Sequence, residues 1–165
     1  QKLSKLIKKK LMIKADVLIT NKNWKKYIRT PSAYINKQLK KVDKNTNLFK
    51  NNNLYFTLLL AGSDEVKKLN LKFRKKNKTT DILSFPFHEI FFLSKLLKKK
   101  DKIYLGDIII NLNKIKKMKK NESFTIAFDK IWIHGLAHLL GHRHKSNIDF
   151  LTMKKFENKL LQSMQ

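Results

Sequence analysis

Apolar residues fall along the chain in short runs that polar segments separate. Three of these runs are rich in isoleucine, leucine or valine and have the length of β-strands: 15–20, 54–60 and 104–111. The second run, LYFTLLL, is apolar at nearly every position, which is typical of a strand covered on both faces of its sheet. About four strands with helices between them predict an α+β fold, a single layered domain over residues 1–165.

Helices are predicted where apolar residues recur every three or four positions after a capping residue. Thr30 precedes Pro31, which suits the first turn of a helix, and Ser63 is expected to cap a helix whose first turn holds two acidic residues. Residues 88–103 are expected to form a loop or short helix that buries its apolar segment 91–93 and leaves its lysines in solvent. Three further helices are predicted over residues 112–121, 123–140 and 146–163, the last of which begins with a capping box of Ser146 and Asp149.

The composition fits one folded domain that does not enter a membrane. The 165 residues are 42% hydrophobic, and no apolar run approaches the roughly 20 residues that cross a bilayer. Residues 1–14 are basic and are expected to form a loosely docked leader, without the apolar core of a secretion signal. The chain has no cysteine, which fits a reducing compartment. These features together predict a cytoplasmic protein.

The formal net charge of +26 is extreme for a chain of this size and predicts attraction to polyanions, above all nucleic acid. Among the 38 basic residues only Arg29, Arg74 and Arg143 are arginines. A strong preference for lysine, asparagine and isoleucine is also what an A/T-rich genome would encode. Any one surface lysine therefore has two explanations, selection for binding or codon bias.

Four of the five histidines lie in the segment 131–145, which reads IWIHGLAHLLGHRHK. If this segment is helical up to its second glycine, His134 and His138 are about one turn apart and their rings converge. Gly141 then permits a bend that brings His144 back to the same point. Three imidazoles with a fourth position open are typical of a catalytic zinc site. The alternative is a set of capping or surface histidines, against which the spacing and the glycine both argue.

The spacing of these histidines is also that of the metzincin proteases, in which a glutamate after the first histidine serves as general base. Here that position is Gly135, so a peptidase of this kind would lack its base. His142 has no spacing argument of its own and is expected to face solvent or to support a ligand. Three histidines also suit nickel, copper or iron, so the pattern favours one zinc ion without excluding these metals.

The sequence HGLAHLLGHRH resembles the HGxLHLxGxDH motif of the YbeY-type endoribonucleases, zinc-dependent bacterial proteins that mature ribosomal RNA. Residues 69–87 are similar to the family's LNxxYRxKDxPTDVLSFPF motif, with Phe73 in place of tyrosine and Thr79 in place of proline. The segment YLGDIIIN is similar to the family's LGDIxIS strand. One departure is Arg143, where the family has an aspartate.

The resemblance implies a mixed central sheet with helices packed against it and a zinc ion held by His134, His138 and His144. It implies hydrolysis of phosphodiester bonds in ribosomal RNA precursors, including maturation of the 3′ end of 16S rRNA and ribosome quality control. The partner would then be ribosomal RNA, within the small ribosomal subunit. The matching arginine of the family lines the same cleft and is important for catalysis, which implies that role for Arg74.

The chemistry of the residues agrees with this implication. Zinc on neutral imidazoles can polarise a phosphoryl oxygen and lower the pKa of a bound water to about 7. The Arg74 guanidinium suits the negative charge that develops on the phosphoryl oxygens, although a surface ion pair is its alternative role. Arg143 is expected to point outward and contact phosphate. Lys75 and Lys76 are further candidates for substrate binding.

Ligand histidines usually need a partner for their second nitrogen, and two aspartates in the family motifs are candidates. Asp81 or Asp107 could accept a hydrogen bond from a ligand histidine. Either could instead close a turn or a strand end, which is the preferred explanation for Asp107. Two other functions stay open from sequence: a zinc hydrolase of another substrate class, including a peptidase, and a non-catalytic RNA-binding factor of ribosome assembly.

Overall fold

The computed structural model describes residues 12–50, 52–99, 102–118 and 121–165. No helix in this part of the chain is both long enough and apolar enough to cross a membrane. The elements in chain order are β1 (Ile13–Ile19), α1 (Pro31–Asn45), β2 (Asn53–Ala61), α2 (Ser63–Arg74), β3 (Ile82–Pro86), α3 (Ile90–Lys99), β4 (Lys102–Asn111), α4 (Leu112–Met118), α5 (Phe124–Leu139) and α6 (Asn147–Ser163).

One mixed sheet of four strands forms the centre of the molecule, in the order β1-β2-β4-β3. Strands β1 and β4 run parallel to β2 on either side of it, and β3 runs antiparallel to β4. Helices connect the parallel strands, as parallel pairing requires. The predicted α+β class and mixed sheet are confirmed, and β3 is the fourth strand, for which the sequence analysis gave no bounds.

The two faces of the sheet are covered unequally. One face packs against α1 and α5, and the core between these layers includes Phe56, Leu58 and Trp132, all fully buried. The other face is covered by α2 only over the β2-β4-β3 part, where Val66 packs against Leu83. Towards β1, the described helices leave this second face open, and it carries polar and half-exposed aromatic side chains.

Two sequence predictions near the strands need correction. Strand β1 begins at Ile13, so Ile13 and Lys14 belong to the sheet and not to the predicted leader; residues 1–11 lie outside the described residues. Ser63 is the first residue of α2, and Gly62 holds the capping position, so the predicted serine cap is wrong. The Ser63 hydroxyl instead donates to the Asn111 side chain, 3.3 Å away, because that buried amide needs partners.

Helix α3 also differs from the prediction for residues 88–103. Leu93 is buried, but Phe91 and Phe92 are 61% and 57% exposed. The helix turns Leu93, Leu96 and Leu97 towards the core, and this spacing of three and four residues leaves both phenylalanines on other sides of the helix. The expected burial of these two rings was therefore wrong, while the expected exposure of Lys98 and Lys99 is confirmed.

Candidate metal centre

The end of α5 places the three predicted histidines. The Ser123 side chain caps the start of this helix by accepting from the Ile126 amide, and the last helical residue is Leu139. Gly141 has a φ of +92°, which L side chains rarely adopt, and a Cβ there would lie 2.5 Å from the Ile90 side chain. This bend returns the chain so that His144 lies over the histidines of the preceding turns.

The rings of His134, His138 and His144 face one another. Their candidate donor nitrogens all lie within 4.8 Å of one another, and the Nε2 atoms of His134 and His138 are 3.1 Å apart. Two nitrogens at zinc-bond distance and tetrahedral angles lie about 3.3 Å apart. The spacing of these two nitrogens is therefore that of a tetrahedral pair.

The outer nitrogens of two of these rings have partners that fix the tautomer. His134 Nδ1 lies 2.7 Å from Glu157 Oε1, and His138 Nδ1 lies 3.0 Å from the His142 carbonyl oxygen. Because a carboxylate and a carbonyl only accept, each Nδ1 donates and each neutral ring keeps a lone pair on Nε2. Two such lone pairs 3.1 Å apart can share one cation, so this donor set fits a metal ion.

The electrostatics of the site favour a neutral His138 and an ionised Glu157. Burial lowers the pKa of His138, and the neighbouring His134 lowers it further. Burial alone would raise the pKa of Glu157, but the hydrogen bond and charge of His134, together with Lys154, hold this pKa below its ordinary value. The His138 imidazole is thus kept in its neutral, metal-binding form, and the Glu157 carboxylate in its accepting form.

A cavity of about 430 Å³ opens over the three histidines, and Arg74 and Arg143 both line it. Arg74 Nη2 donates to the Ser84 carbonyl oxygen at 3.0 Å, and its guanidinium lies 5.5 Å from the centre of the Phe85 ring. In the described part of the chain Arg74 forms no ion pair with a carboxylate, so its charge is available to the cavity. Arg143 is exposed where it lines the cavity.

The other predicted contact residues lie outside this cavity's lining. Lys75 ends α2 in a left-handed conformation, and its Nζ donates to the Lys72 carbonyl oxygen. Lys76 is exposed next to it. His142 also lines the cavity, but it is not one of the converging donors: its ring stacks on Phe156 at 4.7 Å and its carbonyl oxygen accepts from His138.

Within the described residues, neither Asp81 nor Asp107 forms a hydrogen bond with a histidine. Asp81 Oδ1 accepts from the Ile82 amide and from the Thr80 hydroxyl, which closes the turn before β3. Asp107 accepts from the Tyr104 hydroxyl on the open face of the sheet. Both side chains therefore have the structural role, which was the preferred explanation for Asp107 and an open alternative for Asp81.

Sequence reasoning missed Glu157, the carboxylate that does contact a histidine. It lies on α6, four residues after Met153 and three before Leu160, and all three side chains are buried. A carboxylate on the apolar stripe of a helix needs a partner inside the protein. That signal was present in the sequence, but it does not name the partner.

The position of Gly135 bears on the peptidase alternative. A Cβ built on this glycine would lie 2.8 Å from Ile108 and 2.9 Å from Ile82, which belong to the sheet. The residue after the first histidine therefore faces the sheet at close contact, where no glutamate has room. The metzincin arrangement of a general base is excluded at this position.

Known proteins resemble this chain over most of its length. The family model described as "Endoribonuclease YbeY" matches residues 18–165. A protein named Endoribonuclease YbeY from Pelagibacter ubique is 41% identical over 150 residues, covering 89% of this chain and 93% of that protein. One of the same name from Buchnera aphidicola subsp. Schizaphis graminum is 35% identical over 149 residues, covering 88% and 87%.

A solved structure agrees with the fold. The solution structure of a protein from Thermotoga maritima has a TM-score of 0.51 and 22% identity, covering 91% of this chain and 89% of that one. Because the identity is low, this likeness supports the architecture alone. The extent of the family match and the identity to its named members give the conclusion: this chain belongs to the YbeY endoribonuclease family.

Proposed function

We propose that this protein is a metal-dependent endoribonuclease that hydrolyses phosphodiester bonds in ribosomal RNA precursors, with one zinc ion held by His134, His138 and His144. The observation that carries the proposal is the pair of Nε2 lone pairs that face each other at 3.1 Å in a cavity lined by two arginines. Membership of the family and a net charge of +26 support an RNA substrate.

The three histidines, the two arginines and Ser84 have separate tasks in this mechanism. Zinc on the three histidines would supply a Lewis acid that polarises a phosphoryl oxygen and makes water a better nucleophile. Arg74, held by the Ser84 carbonyl oxygen, offers its guanidinium to the charge that grows on the phosphoryl oxygens. Arg143 contacts a neighbouring phosphate from the rim. Among the described residues the buried Ser84 hydroxyl has no hydrogen-bond partner, and Ser84 lines the cavity, so this donor is available to the substrate.

The resemblance to the family supplies the finer part of the proposal. The substrate is the precursor of 16S rRNA, cut during maturation of its 3′ end and in quality control of the small ribosomal subunit. A ribosomal substrate also places the protein in the cytoplasm, which agrees with its lack of cysteine.

The experiment combines metal analysis with RNA cleavage. Purified protein is analysed for bound metals and then incubated with a 16S 3′-precursor RNA before and after chelation, with zinc added back. We expect zinc to be present in equal amount to protein, cleavage to stop on chelation and the added zinc to restore it. Cleavage that survives chelation would remove the metal from the mechanism.

An Arg74→Lys variant distinguishes a role of Arg74 in RNA cleavage from a role in RNA binding alone. It keeps the positive charge and loses the planar pair of donors, so we expect metal content and RNA binding to persist while cleavage falls about 100-fold. Unchanged cleavage would contradict the role of Arg74. If the wild-type protein binds RNA and cuts none, the alternative of a non-catalytic assembly factor replaces the proposal.

A further inference from the structure

A row of aromatic rings leads away from the cavity across the open part of the sheet. The Tyr55 and Tyr104 ring centroids are 5.1 Å apart, Tyr104 and Phe87 are 5.4 Å apart, and Phe87 and His88 are 4.9 Å apart. His88 lines the same cavity as the three converging histidines. We call Tyr55, Tyr104, Phe87 and His88 the aromatic track.

The strand register explains why these rings lie side by side. Tyr55 on β2 is paired with Tyr104 on β4 and, on its other side, with Lys14 on β1. Side chains in register on neighbouring strands share a face of the sheet. This is the face that the described helices leave uncovered towards β1. Phe87 follows β3 directly and is 66% exposed.

We propose that this track binds unpaired nucleotides of the RNA whose phosphodiester bond lies in the cavity. Exposed aromatic rings beside cationic side chains are the elements that hold unpaired bases and their phosphates, because every base has a face that can stack. This inference rests on the proposed function for the identity of the strand, but binding on the track needs neither metal nor cleavage.

The charge beside the track fits a nucleic acid. Lys102 Nζ lies 4.6 Å from the Tyr55 ring centroid, and Lys14 is exposed next to the same ring. Both are flexible cations, and Lys102 can move from its place over the Tyr55 ring to a phosphate when a base stacks there. The acidic groups in the next row of the sheet are Asp16 and Asp107, and Asp107 is engaged by the Tyr104 hydroxyl. Phosphates are therefore expected on the lysine side of the rings.

Continuity with the cavity also favours RNA over a protein partner. A protein docked on these rings would cover the open side of His88 and the route into the cavity. An RNA strand that passes over these rings would enter the cavity on the side of His88. The rings then bind nucleotides beside the cleaved bond, and they would set on which side of that bond the substrate needs an unpaired stretch.

The test measures affinity for a fluorescent 12-nucleotide uridine RNA by anisotropy, on metal-free protein at fixed salt. Phe87→Leu and Tyr55→Leu remove a ring and keep an apolar side chain. Phe87→Tyr and Tyr55→Phe keep the ring and are the matched controls. We expect each leucine variant to bind about fivefold or more weakly and each control to stay within about twofold of wild type. Phe87 is exposed, so its variants are expected to fold, and circular dichroism checks this.

The outcomes separate this inference from the proposed function. Leucine variants that bind within twofold of wild type overturn the track, even if the protein cuts ribosomal RNA. A ring-dependent loss of affinity supports the track, even if no cleavage is found. As a second measurement, cross-linking of 4-thiouridine RNA to wild-type protein should label peptides that contain Tyr55, Tyr104 or Phe87, and labels only on other surfaces would also overturn it.

Discussion

Helix α5 carries two polar clusters, one in each half, and they differ in how their polar atoms are satisfied. In the first half, Asp129 accepts from the Tyr34 hydroxyl at 2.8 Å, from Gln38 at 3.1 Å and from the Trp132 indole at 2.8 Å. In the second half, His134 and His138 use only their outer nitrogens in hydrogen bonds with acceptors. Their inner nitrogens, the two Nε2 atoms, face each other at the cavity wall.

The difference separates a structural cluster from a functional one. Burial raises the pKa of Asp129, although its three hydrogen-bond donors lower it. Because these donors all come from the protein, the carboxyl group needs no ligand. The histidine cluster leaves its inner nitrogens facing one another, where a metal ion could bind. A buried polar group that the protein satisfies contributes to the fold, whereas converging lone pairs indicate a ligand. Four substitutions test this comparison.

The largest effect is expected from His138→Ala. Removing one of three ligands should weaken zinc binding by about a thousandfold or more and abolish RNA cleavage. His142→Ala is the matched control, because it removes a ring from the same cavity but leaves the carbonyl oxygen that His138 needs. Isothermal titration with zinc measures both variants. Comparable zinc affinity in His138→Ala and wild type would refute the assignment of the ligands.

Asp129→Ala should act on stability and leave the metal site intact. It leaves the buried Trp132 donor and the part-buried Tyr34 and Gln38 donors without their acceptor, which costs about 3 kcal/mol of unfolding free energy. Urea denaturation of the metal-free protein measures the loss. The zinc affinity of the folded variant should match that of wild type. A variant that loses zinc binding while keeping its stability would reverse the roles given to the two clusters.

Glu157→Gln should weaken zinc binding by about tenfold, the lower end of the range for carboxylates that orient a ligand histidine. The amide keeps the size of the side chain and loses the charge that holds the His134 tautomer. Nitrogen NMR of the metal-free protein should show a larger share of the other His134 tautomer. Glu122→Gln is the control, because Glu122 pairs with Lys130 and with no histidine. Equal zinc affinities in the two variants would contradict the role of Glu157.

The smallest effect is expected from Arg143→Asp, which restores the residue of the family motif. Because Arg143 is exposed, its charge is screened by water, and zinc affinity should change by less than about tenfold. Binding of RNA should weaken, since a cation at the rim becomes an anion. A gain of tenfold or more in zinc affinity would mean that Arg143 disfavours the metal.

The sequence predicted those parts of the site that depend on local geometry. His134 and His138 are four residues apart on one helix, Gly141 makes the bend, and Ser146 with Asp149 forms the capping box that starts α6. Each of these features is determined by a few neighbouring residues, and periodicity and capping rules describe them.

Contacts between distant segments were not predictable in the same way. Glu157 reaches His134 from 23 residues further along the chain, and only the packing of α6 on α5 brings the two together. The two possible roles of Asp81 could not be separated from sequence, because a motif shows which residues occur together and not which atoms meet. The uneven cover of the sheet and the aromatic track on it depend on strand order and register, which apolar patterns leave open.

The close packing of Gly135 limits how this protein could evolve. Substituting glutamate there would push α5 away from the sheet at Ile82 and Ile108, and the histidines of that helix would move with it. Substitution of Gly135 by glutamate alone would therefore not create a peptidase of the metzincin type, although the histidine spacing of those enzymes is already present. The new carboxylate would displace the histidines of the candidate metal site, so it could not act as a general base there.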